Sequence, residues 1–407
     1  MLPSAQELVG FAKLYEGSVV TLIQDLVRIP SVNGRDFETP VARRVRQEAE
    51  DHGLSAKLLG TDENRQNVLV EIGGGKNGFA FIGHMDTVAE GDRDIWDHNP
   101  FGGVLSDGKI YGRGTADNKA GIACALFALV LLRDHDLIRQ DQMRFVLAGV
   151  VDEESGASSP LGVRYLLDEG YLDVNAAIYT YASDVICIGH RGLLRLRIHT
   201  MGEAVHSGSG AWDRGEEGVN AVTGLAAILL RLEELNLEAS YHPAFPGLGA
   251  KITPGTVISG GDWEGMVPAW AEAIVDIRLM PEQLTNEVLT IIEAIIEDEI
   301  ALRPGLSVEI EEKTRLPGVA IPEDHNLVNI AKRYTFEVTG NAWKAVGAGP
   351  ANEGYMLIEA GIPTLCGFGP TGGNAHAVNE WVTVSSLAPT IAMFAGIAQE
   401  FLRGIKE

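Results

Sequence analysis

Residues 78–86 are GFAFIGHMD, a short apolar run that ends in a histidine and an aspartate. A run this short and this rich in Phe and Ile is typical of a buried β-strand. Similar apolar runs follow at 143–151 (MRFVLAGVV) and 176–181 (AAIYTY), with an apolar helical stretch at 118–132. Strands that alternate with helices predict an α/β fold with a mixed, largely parallel sheet flanked by helices.

The pattern changes after residue 190. The predicted elements between residues 191 and 315 follow the order β-α-β-β-α-β, which is typical of a ferredoxin-like α+β domain. From residue 316 the α/β pattern resumes. We therefore expect one α/β domain formed by residues 1–190 and 316–407, with a ferredoxin-like domain inserted at 191–315.

Length and charge exclude several classes of protein. At about 150 residues per domain, 407 residues suggest two or three domains. The 56 acidic and 32 basic residues give a net charge of -24, which would repel a nucleic acid or an acidic membrane. The longest apolar run, 121–132, is shorter than the ~20 residues of a membrane span, and the first residues lack the pattern of a signal peptide. We expect a cytoplasmic protein with neither nucleic acid nor membrane as a partner.

The three cysteines, Cys124, Cys187 and Cys366, are scattered and form no CxxC pair. This usage fits a reducing compartment and provides no thiolate metal site.

Polar residues follow the first strand and precede the long apolar helix. His84 and Asp86 are two residues apart at a strand end, so both project to one face, where Asp86 could orient a metal-binding imidazole. A structural hydrogen-bonded pair is the alternative. Asp117 follows a Gly-rich turn in GRGTADNKAG, and its alternative role is that of a helix N-cap.

Further carboxylates and a histidine follow other strands. Asp152, Glu153 and Glu154 come directly after the strand at 143–151, and adjacent carboxylates repel unless a cation lies among them or one shares a proton. A solvated loop is the alternative. His376 follows a Gly-rich turn and could equally be a surface histidine. Because open α/β sheets bind ligands beyond their strand ends, the whole set predicts a site for zinc, manganese or cobalt.

The order and spacing of these motifs resemble the M20 metallopeptidase family, which includes acetylornithine deacetylase, succinyl-diaminopimelate desuccinylase, aminoacylase and carboxypeptidase G. The resemblance covers nearly the whole chain. It implies a zinc-exopeptidase-like catalytic domain, with the inserted domain as a lid and dimerisation domain. It also implies that Asp117 bridges two metal ions, with Glu154 and His376 at one ion and His84 at the other.

The resemblance assigns the remaining catalytic roles to three residues. Glu153 matches the general base, and Asp86 matches the residue that holds His84 from behind. His206, in GEAVHSG, matches the lid histidine that stabilises the oxyanion, often across a dimer. From the residue pattern alone, His206 could also be a histidine that leads into a helix.

Substrate binding is expected at an arginine and a Gly-rich loop. Arg278, in VDIRLMP, matches the arginine that binds a substrate carboxylate through its bidentate fork. A solvated arginine on an alternating strand is the other interpretation. Gly372 and Gly373, in GFGPTGGNAH, could offer backbone N–H groups to an anion, or serve only the turn.

The sequence departs from the family pattern in three places. Thr180 stands where the family has a glutamate ligand, and Asp184 is the nearest anionic replacement. Gly265, in GMVP, replaces an asparagine that contacts substrate. GPANEG at 349–354 replaces a Ser/Thr-Asp-Ala turn.

The resemblance implies a zinc-type metallohydrolase with one or two ions per chain, and cobalt or manganese as other possible metals. The expected reaction is hydrolysis of the amide bond of an N-acyl amino acid, or of a short peptide with a free carboxylate. Two alternatives stay open, a dipeptidase or carboxypeptidase of the same family and a ligand-binding relative with an incomplete metal site. A homodimer through the inserted domain is the expected assembly.

Overall fold

The computed structural model describes residues 3–139, 141–237 and 242–405. The strands are β1 Ser55–Leu59, β2 Asn67–Gly73, β3 Asn77–His84, β4 Val104–Ser106, β5 Lys109–Tyr111, β6 Met143–Val150, β7 Ala176–Thr180, β8 Ile186–His190, β9 Gly192–Met201, β10 Lys251–Gly260, β11 Trp270–Leu279, β12 Ser307–Leu316, β13 Val319–Ala320, β14 Ala345–Ala348, β15 Thr364–Phe368, β16 Gly372–Gly373 and β17 Trp381–Thr383. The α-helices are α1 Ala5–Ala12, α2 Glu16–Arg28, α3 Thr39–Asp51, α4 Ala120–Asp134, α5 Val163–Asp168, α6 Gly210–Asp213, α7 Ala221–Glu234, α8 Thr285–Leu302, α9 Asn326–Thr339, α10 Gly354–Glu359 and α11 Leu387–Arg403.

The first compact unit comprises residues 1–189, 320–348 and 352–407. Its main sheet has the strand order β1-β2-β6-β3-β7-β15-β8-β13, with β14 paired to β8. The four central strands β6, β3, β7 and β15 run parallel, whereas β2 and β8 join them antiparallel on either side. This arrangement confirms the predicted mixed α/β sheet, and it brings the carboxyl ends of β3, β6 and β7 to one edge.

Helix α4 is the core helix of this unit. Every residue from Ala120 to Leu132 is buried, and the helix contacts α11, β3 and β6. Length and composition alone would let Thr115–Asp134 cross a membrane, but Thr115–Leu132 is buried within the structure, as the core helix of a folded domain is. Because α4 connects the parallel strands β3 and β6, its first residues lie at the carboxyl ends of these strands.

The second compact unit comprises residues 190–319 and 349–351. Its elements β9, α7, β10, β11, α8 and β12 form a β-α-β-β-α-β unit, whose four-stranded antiparallel sheet has the order β10-β11-β9-β12. Apolar residues of β9, β11 and the two helices, among them Leu196, Ile228, Val275 and Ile292, form its core. The main segment of the unit ends at residue 319, four residues beyond the predicted boundary at 315, and β12 itself extends to Leu316.

Candidate metal centre

His84 is the last residue of β3, and its two ring nitrogens face different partners. Nδ1 lies 2.9 Å from the backbone carbonyl oxygen of Asp86, and a carbonyl can only accept, so Nδ1 carries the proton. Nε2 lies 2.7 Å from Oδ1 of Asp117, in the turn that leads into α4. The imidazole therefore presents its second nitrogen to the carboxylate that the family resemblance implies as a bridge.

The two oxygens of Asp117 face two different imidazoles. Oδ1 faces His84, and Oδ2 lies 3.2 Å from Nε2 of His376, which is itself 3.1 Å from Oε1 of Glu154. The ligand atoms of His84, Asp117 and Glu154 all lie within 4.8 Å of one another. An imidazole nitrogen and a carboxylate oxygen at such distances need a proton or a cation between them. Two imidazoles and two carboxylates form a donor set that suits zinc, so the residues present fit the metal ions that the sequence implied.

The pKa values at this site reflect the same pairing. Burial opposes protonation of His84, but the charge and hydrogen bond of Asp117 raise its pKa well above the ordinary value. Hydrogen bonds to Asp117 and Glu154 raise the pKa of His376 to about 10. Burial acts to raise the pKa of Asp117, but the two imidazoles outweigh it and hold this pKa well below its usual range. These shifts show that the carboxylates stabilise positive charge at this site, whether it is carried by a proton or by a metal ion.

The three consecutive acidic residues after β6 have different surroundings. Asp152 adopts a left-handed conformation with φ 66°, and its carboxylate accepts hydrogen bonds from Arg65 (2.8 Å), Asn33 (2.9 Å) and Ser159 (2.6 Å). Glu154 contacts His376. Burial, opposed by the charge of His84, raises the pKa of Glu153 well above its ordinary value, and the neighbouring Glu154 adds to the rise. Among the described residues, Asp152 is thus the one of the three carboxylates that pairs with an arginine.

Asp86 connects His84 to the acidic turn. Its Oδ1 lies 3.5 Å from Nδ1 of His84 and accepts a hydrogen bond from the backbone N–H of Glu153 (3.2 Å). Its Oδ2 accepts from the backbone N–H of Glu154 (3.0 Å) and from the Asn33 amide (2.8 Å). The carboxylate of Asp86 therefore holds the backbone of both glutamates, whereas its backbone carbonyl is the hydrogen-bond partner of the His84 ring. The orienting role of its carboxylate toward His84 stays a prediction.

Sequence reasoning missed the part played by Glu380, whose buried carboxylate holds the turn before α4. It accepts hydrogen bonds from the Arg113 guanidinium (2.7 Å) and from the backbone N–H groups of Gly114 (3.0 Å), Ala116 (2.8 Å) and Asp117 (3.0 Å). Its position four residues after His376 was the only local signal. This carboxylate joins the segment that carries His376 to the segment that carries Asp117.

The side chain beside His84 is that of Tyr181, and not that of Thr180. The Thr180 hydroxyl donates to Oδ1 of Asn118 at 2.7 Å. The next residue, Tyr181, brings its hydroxyl to 3.3 Å from Nε2 of His84. Asp184 is exposed, and among the described residues it is not part of the group whose ligand atoms come together, so its role as a replacement ligand stays a prediction.

Two predicted site residues belong to the second unit. The Arg278 guanidinium donates to Asp276, two residues earlier on β11, at 2.8 Å, and Arg195 donates to the same carboxylate at 2.9 Å. His206 is exposed, and its Nδ1 accepts the backbone N–H of Gly208 at 3.0 Å. The roles of Arg278 and His206 toward a substrate stay predictions.

Close packing accounts for the two glycines of the loop before His376. A Cβ atom at Gly372 would lie 2.7 Å from the carbonyl oxygen of Trp381, and one at Gly373 would lie 2.9 Å from the Trp381 indole. Both glycines pair with β17. Close backbone approach thus requires glycine at both positions, whereas anion binding by this loop stays a prediction.

The chain matches known proteins along most of its length. The model of peptidase family M20/M25/M40 matches residues 80–400. A probable succinyl-diaminopimelate desuccinylase of Staphylococcus epidermidis is 28% identical and covers 96% of this chain and 99% of the relative. Acetylornithine deacetylase of Shigella sonnei is 29% identical and covers 83% of this chain and 84% of the relative.

Solved structures share the fold. A tripeptidase from Staphylococcus aureus has a TM-score of 0.75 at 20% identity, covering 95% of this chain and 99% of its own. A dinuclear metal-binding peptidase of the M20 family from Bacillus subtilis has a TM-score of 0.70 at 17% identity, covering 97% of this chain and 100% of its own. Because the family model covers far more than half of the sequence, the chain belongs to peptidase family M20/M25/M40 and is a metal-dependent hydrolase of amide or peptide bonds.

Proposed function

We propose that this hydrolase cleaves the amide bond of an N-acyl amino acid, or of a short peptide with a free carboxylate, with zinc as its metal. The observation that carries the proposal is the Asp117 carboxylate, whose two oxygens face His84 and His376. Glu153 lies buried on the same turn as Glu154 and completes the set of groups that hydrolysis requires.

In this proposal His84, Asp117, Glu154 and His376 hold the zinc, as one or two ions per chain. When bound, zinc acts as a Lewis acid that polarises the scissile carbonyl and lowers the pKa of the attacking water. Asp86 keeps the His84 ring in the tautomer that leaves Nε2 free for a ligand bond.

Glu153 is the general base of the proposed reaction. Its carboxylate takes the proton of the attacking water and then gives it to the leaving amine. In the second unit, His206 stabilises the oxyanion and Arg278 binds the substrate carboxylate, because its planar fork matches two carboxylate oxygens.

The relatives found by sequence favour an N-acyl amino acid over a peptide as the substrate. The two relatives at 28% and 29% identity are named as a desuccinylase and a deacetylase. The named peptidases are related at 20% identity or less and share the fold alone. A dipeptidase or carboxypeptidase activity, and a ligand-binding protein without hydrolysis, are the rival outcomes of the experiment.

The experiment compares substrates with the zinc-loaded chain. N-acetyl- and N-succinyl-amino acids, dipeptides and tripeptides are assayed, each with a free and with an amidated carboxylate. We expect the N-acyl amino acids with a free carboxylate to be cleaved fastest. Hydrolysis of peptides alone would favour the dipeptidase or carboxypeptidase alternative over an N-acyl amino acid hydrolase. Hydrolysis of none of these substrates would contradict the proposal and favour the ligand-binding alternative.

A variant tests the proposed carboxylate recognition. Arg278→Lys keeps the charge but loses the bidentate fork, so we expect KM to rise for free carboxylates and to stay unchanged for amidated ones. Arg195→Lys is the matched control, because Arg195 shares the Asp276 partner without the proposed role. An equal effect of both variants would contradict the role of Arg278.

We also propose that the chain forms a homodimer through the second unit. Strand β10 lies at an edge of its sheet, and Val257 and Ile258 on it are 62% and 60% exposed. An exposed edge with apolar side chains is suited to pairing with another chain. Sedimentation of a dimer that Val257→Lys converts to a monomer would support this assembly, and a monomeric native chain would contradict it.

A further inference from the structure

The two sides of the Asp117 carboxylate offer unequal sets of donors. On the side of Oδ2, the donors are His376 and the carboxylate of Glu154. On the side of Oδ1, they are His84 and the hydroxyl of Tyr181, which lies 3.3 Å from Nε2 of His84. One side therefore has two carboxylates around the imidazole, whereas the other has one carboxylate and a phenol.

Strand register explains why a tyrosine lies beside His84. Strands β3 and β7 are parallel, and Ile82 pairs with Tyr179. Two residues further along, His84 ends β3 and Tyr181 is the first residue after β7. If the register and the alternation of side chains continue past the strand end, the two side chains are level and on the same face. The rings of Tyr181 and His84 have centroids 5.7 Å apart, and the ring of Tyr181 stacks on that of Tyr179 at 5.8 Å. Packing thus holds the phenol in place.

We propose that the Tyr181 hydroxyl is the third donor of the His84 position, and that this makes the two metal positions unequal in affinity. A phenol hydroxyl carries no formal negative charge, so it is a weaker partner for a divalent cation than a carboxylate. The inference rests on the proposed function. The chain then binds one ion tightly at the His376 position and a second ion weakly at the His84 position.

Zinc titration of the metal-free chain tests the inference without any assay of activity. Calorimetry with zinc alone should show two steps for the native chain, and zinc content after gel filtration should correspond to the tight step only. In Tyr181→Phe, which removes only the hydroxyl, the weak step should lose at least the ~10-fold in affinity that a hydrogen-bonded neighbour of a ligand typically contributes. Its tight step should be unchanged.

Tyr179→Phe is the matched control. It removes a buried phenol hydroxyl two residues earlier in the chain, on β7, but this hydroxyl donates to Glu353 at 3.2 Å and not to His84. Both steps should stay native in this variant. In a third variant, Tyr181→Glu, a carboxylate replaces the phenol, and we expect the weak step to tighten by about 10- to 100-fold.

The inference is overturned if the native chain binds two ions equally tightly, or if Tyr181→Phe leaves the weak step at its native affinity. A native chain that binds zinc in two unequal steps but cleaves no N-acyl amino acid would contradict the proposed substrate and leave this inference intact. The two failures are therefore distinguishable.

Discussion

Glu153 and Glu154 are adjacent residues of one type, and their partners give them different roles. Glu154 contacts His376, and the neighbouring Asp152 accepts a hydrogen bond from Arg65. Glu153 lies buried between them, with a raised pKa. At the scale of the residue, the partner and not the residue type distinguishes the three carboxylates, and the proposed roles of Glu154 as ligand and Glu153 as base rest on that difference.

Replacing Glu153 by glutamine tests its role as the base. The amide has the shape of the carboxyl group but cannot take up a proton, so we expect Glu153→Gln to lower kcat by about 10²- to 10⁴-fold. Zinc content and the midpoint of thermal unfolding should stay native, because the ligands are intact. Turnover near the native rate would remove Glu153 from the mechanism. Glu154→Gln provides the contrast, since it should lower zinc content as well.

Glu353 is a buried carboxylate in GPANEG, one of the segments at which the sequence departs from the family pattern. Burial raises the pKa of this carboxyl group to about 8, and its Oε1 has no hydrogen-bond partner among the described residues. Between its ordinary pKa of 4.5 and about 8, the folded chain keeps a proton that the unfolded chain has lost. The contribution of Glu353 to the free energy of unfolding therefore falls as the pH rises through this window.

Glu353→Gln should remove that dependence on pH. At about pH 5 the free energies of unfolding of variant and native chain should be similar, and at about pH 9 the variant should be the more stable by about 1 kcal/mol or more. Urea unfolding at the two pH values measures the difference. Glu359→Gln, on the exposed side of α10, is the control and should show no such change. A variant that is less stable than the native chain at both pH values would contradict the assignment of a buried neutral carboxyl group.

At the scale of the element, local patterns predict much of the fold. The apolar runs at 78–86 and 143–151 correspond to β3 and β6, and the apolar stretch at 118–132 corresponds to α4. Residues 159–169 also have a helical pattern of apolar residues, but helix α5 is shorter, at Val163–Asp168. The Ser159 hydroxyl donates a hydrogen bond to Asp152 and does not cap the helix. Because Gly162 has non-helical dihedral angles, the helix begins only at Val163.

Two features of the site depend on contacts that no local pattern contains. Glu380 reaches the Asp117 turn across more than 260 residues of sequence. The choice between Thr180 and Tyr181 beside His84 depends on the register of two parallel strands, which counting along the chain cannot provide. The proposed ligands could be predicted from the sequence because each follows an apolar strand or a Gly-rich turn.

The link between these two segments leads to a prediction about Glu380. In Glu380→Gln the amide keeps one acceptor oxygen, so backbone N–H groups of the Asp117 turn lose a partner and Arg113 stays buried without its opposite charge. We expect zinc affinity to fall by about 10- to 100-fold. The free energy of unfolding should fall by about 3 to 5 kcal/mol. Calorimetry and urea unfolding measure the two effects, with the exposed Glu323→Gln as the control. Native zinc affinity in Glu380→Gln would show that the turn holds its shape without this carboxylate.

At the scale of the whole molecule, we expect metal binding and stability to be coupled. Several carboxylates of a chain with net charge -24 converge on one site, where cations relieve their repulsion. Zinc that binds only the folded chain adds about 2.7 kcal/mol to its stability at a free concentration 100 times the Kd. We expect chelation to lower the midpoint of thermal unfolding, and zinc, but not magnesium, to restore it, because imidazole ligands suit zinc. A midpoint that chelation leaves unchanged would contradict this coupling.

The central claim is that this chain hydrolyses amide bonds by means of metal ions held around Asp117. The most direct measurement follows cleavage of an N-acyl amino acid by the native chain before chelation, after complete chelation and after return of zinc, with Asp117→Asn in parallel. The account predicts loss of activity on chelation, recovery with zinc in the native chain and no recovery in the variant. Cleavage that persists in the fully chelated chain, or that Asp117→Asn supports at the native rate, would contradict it.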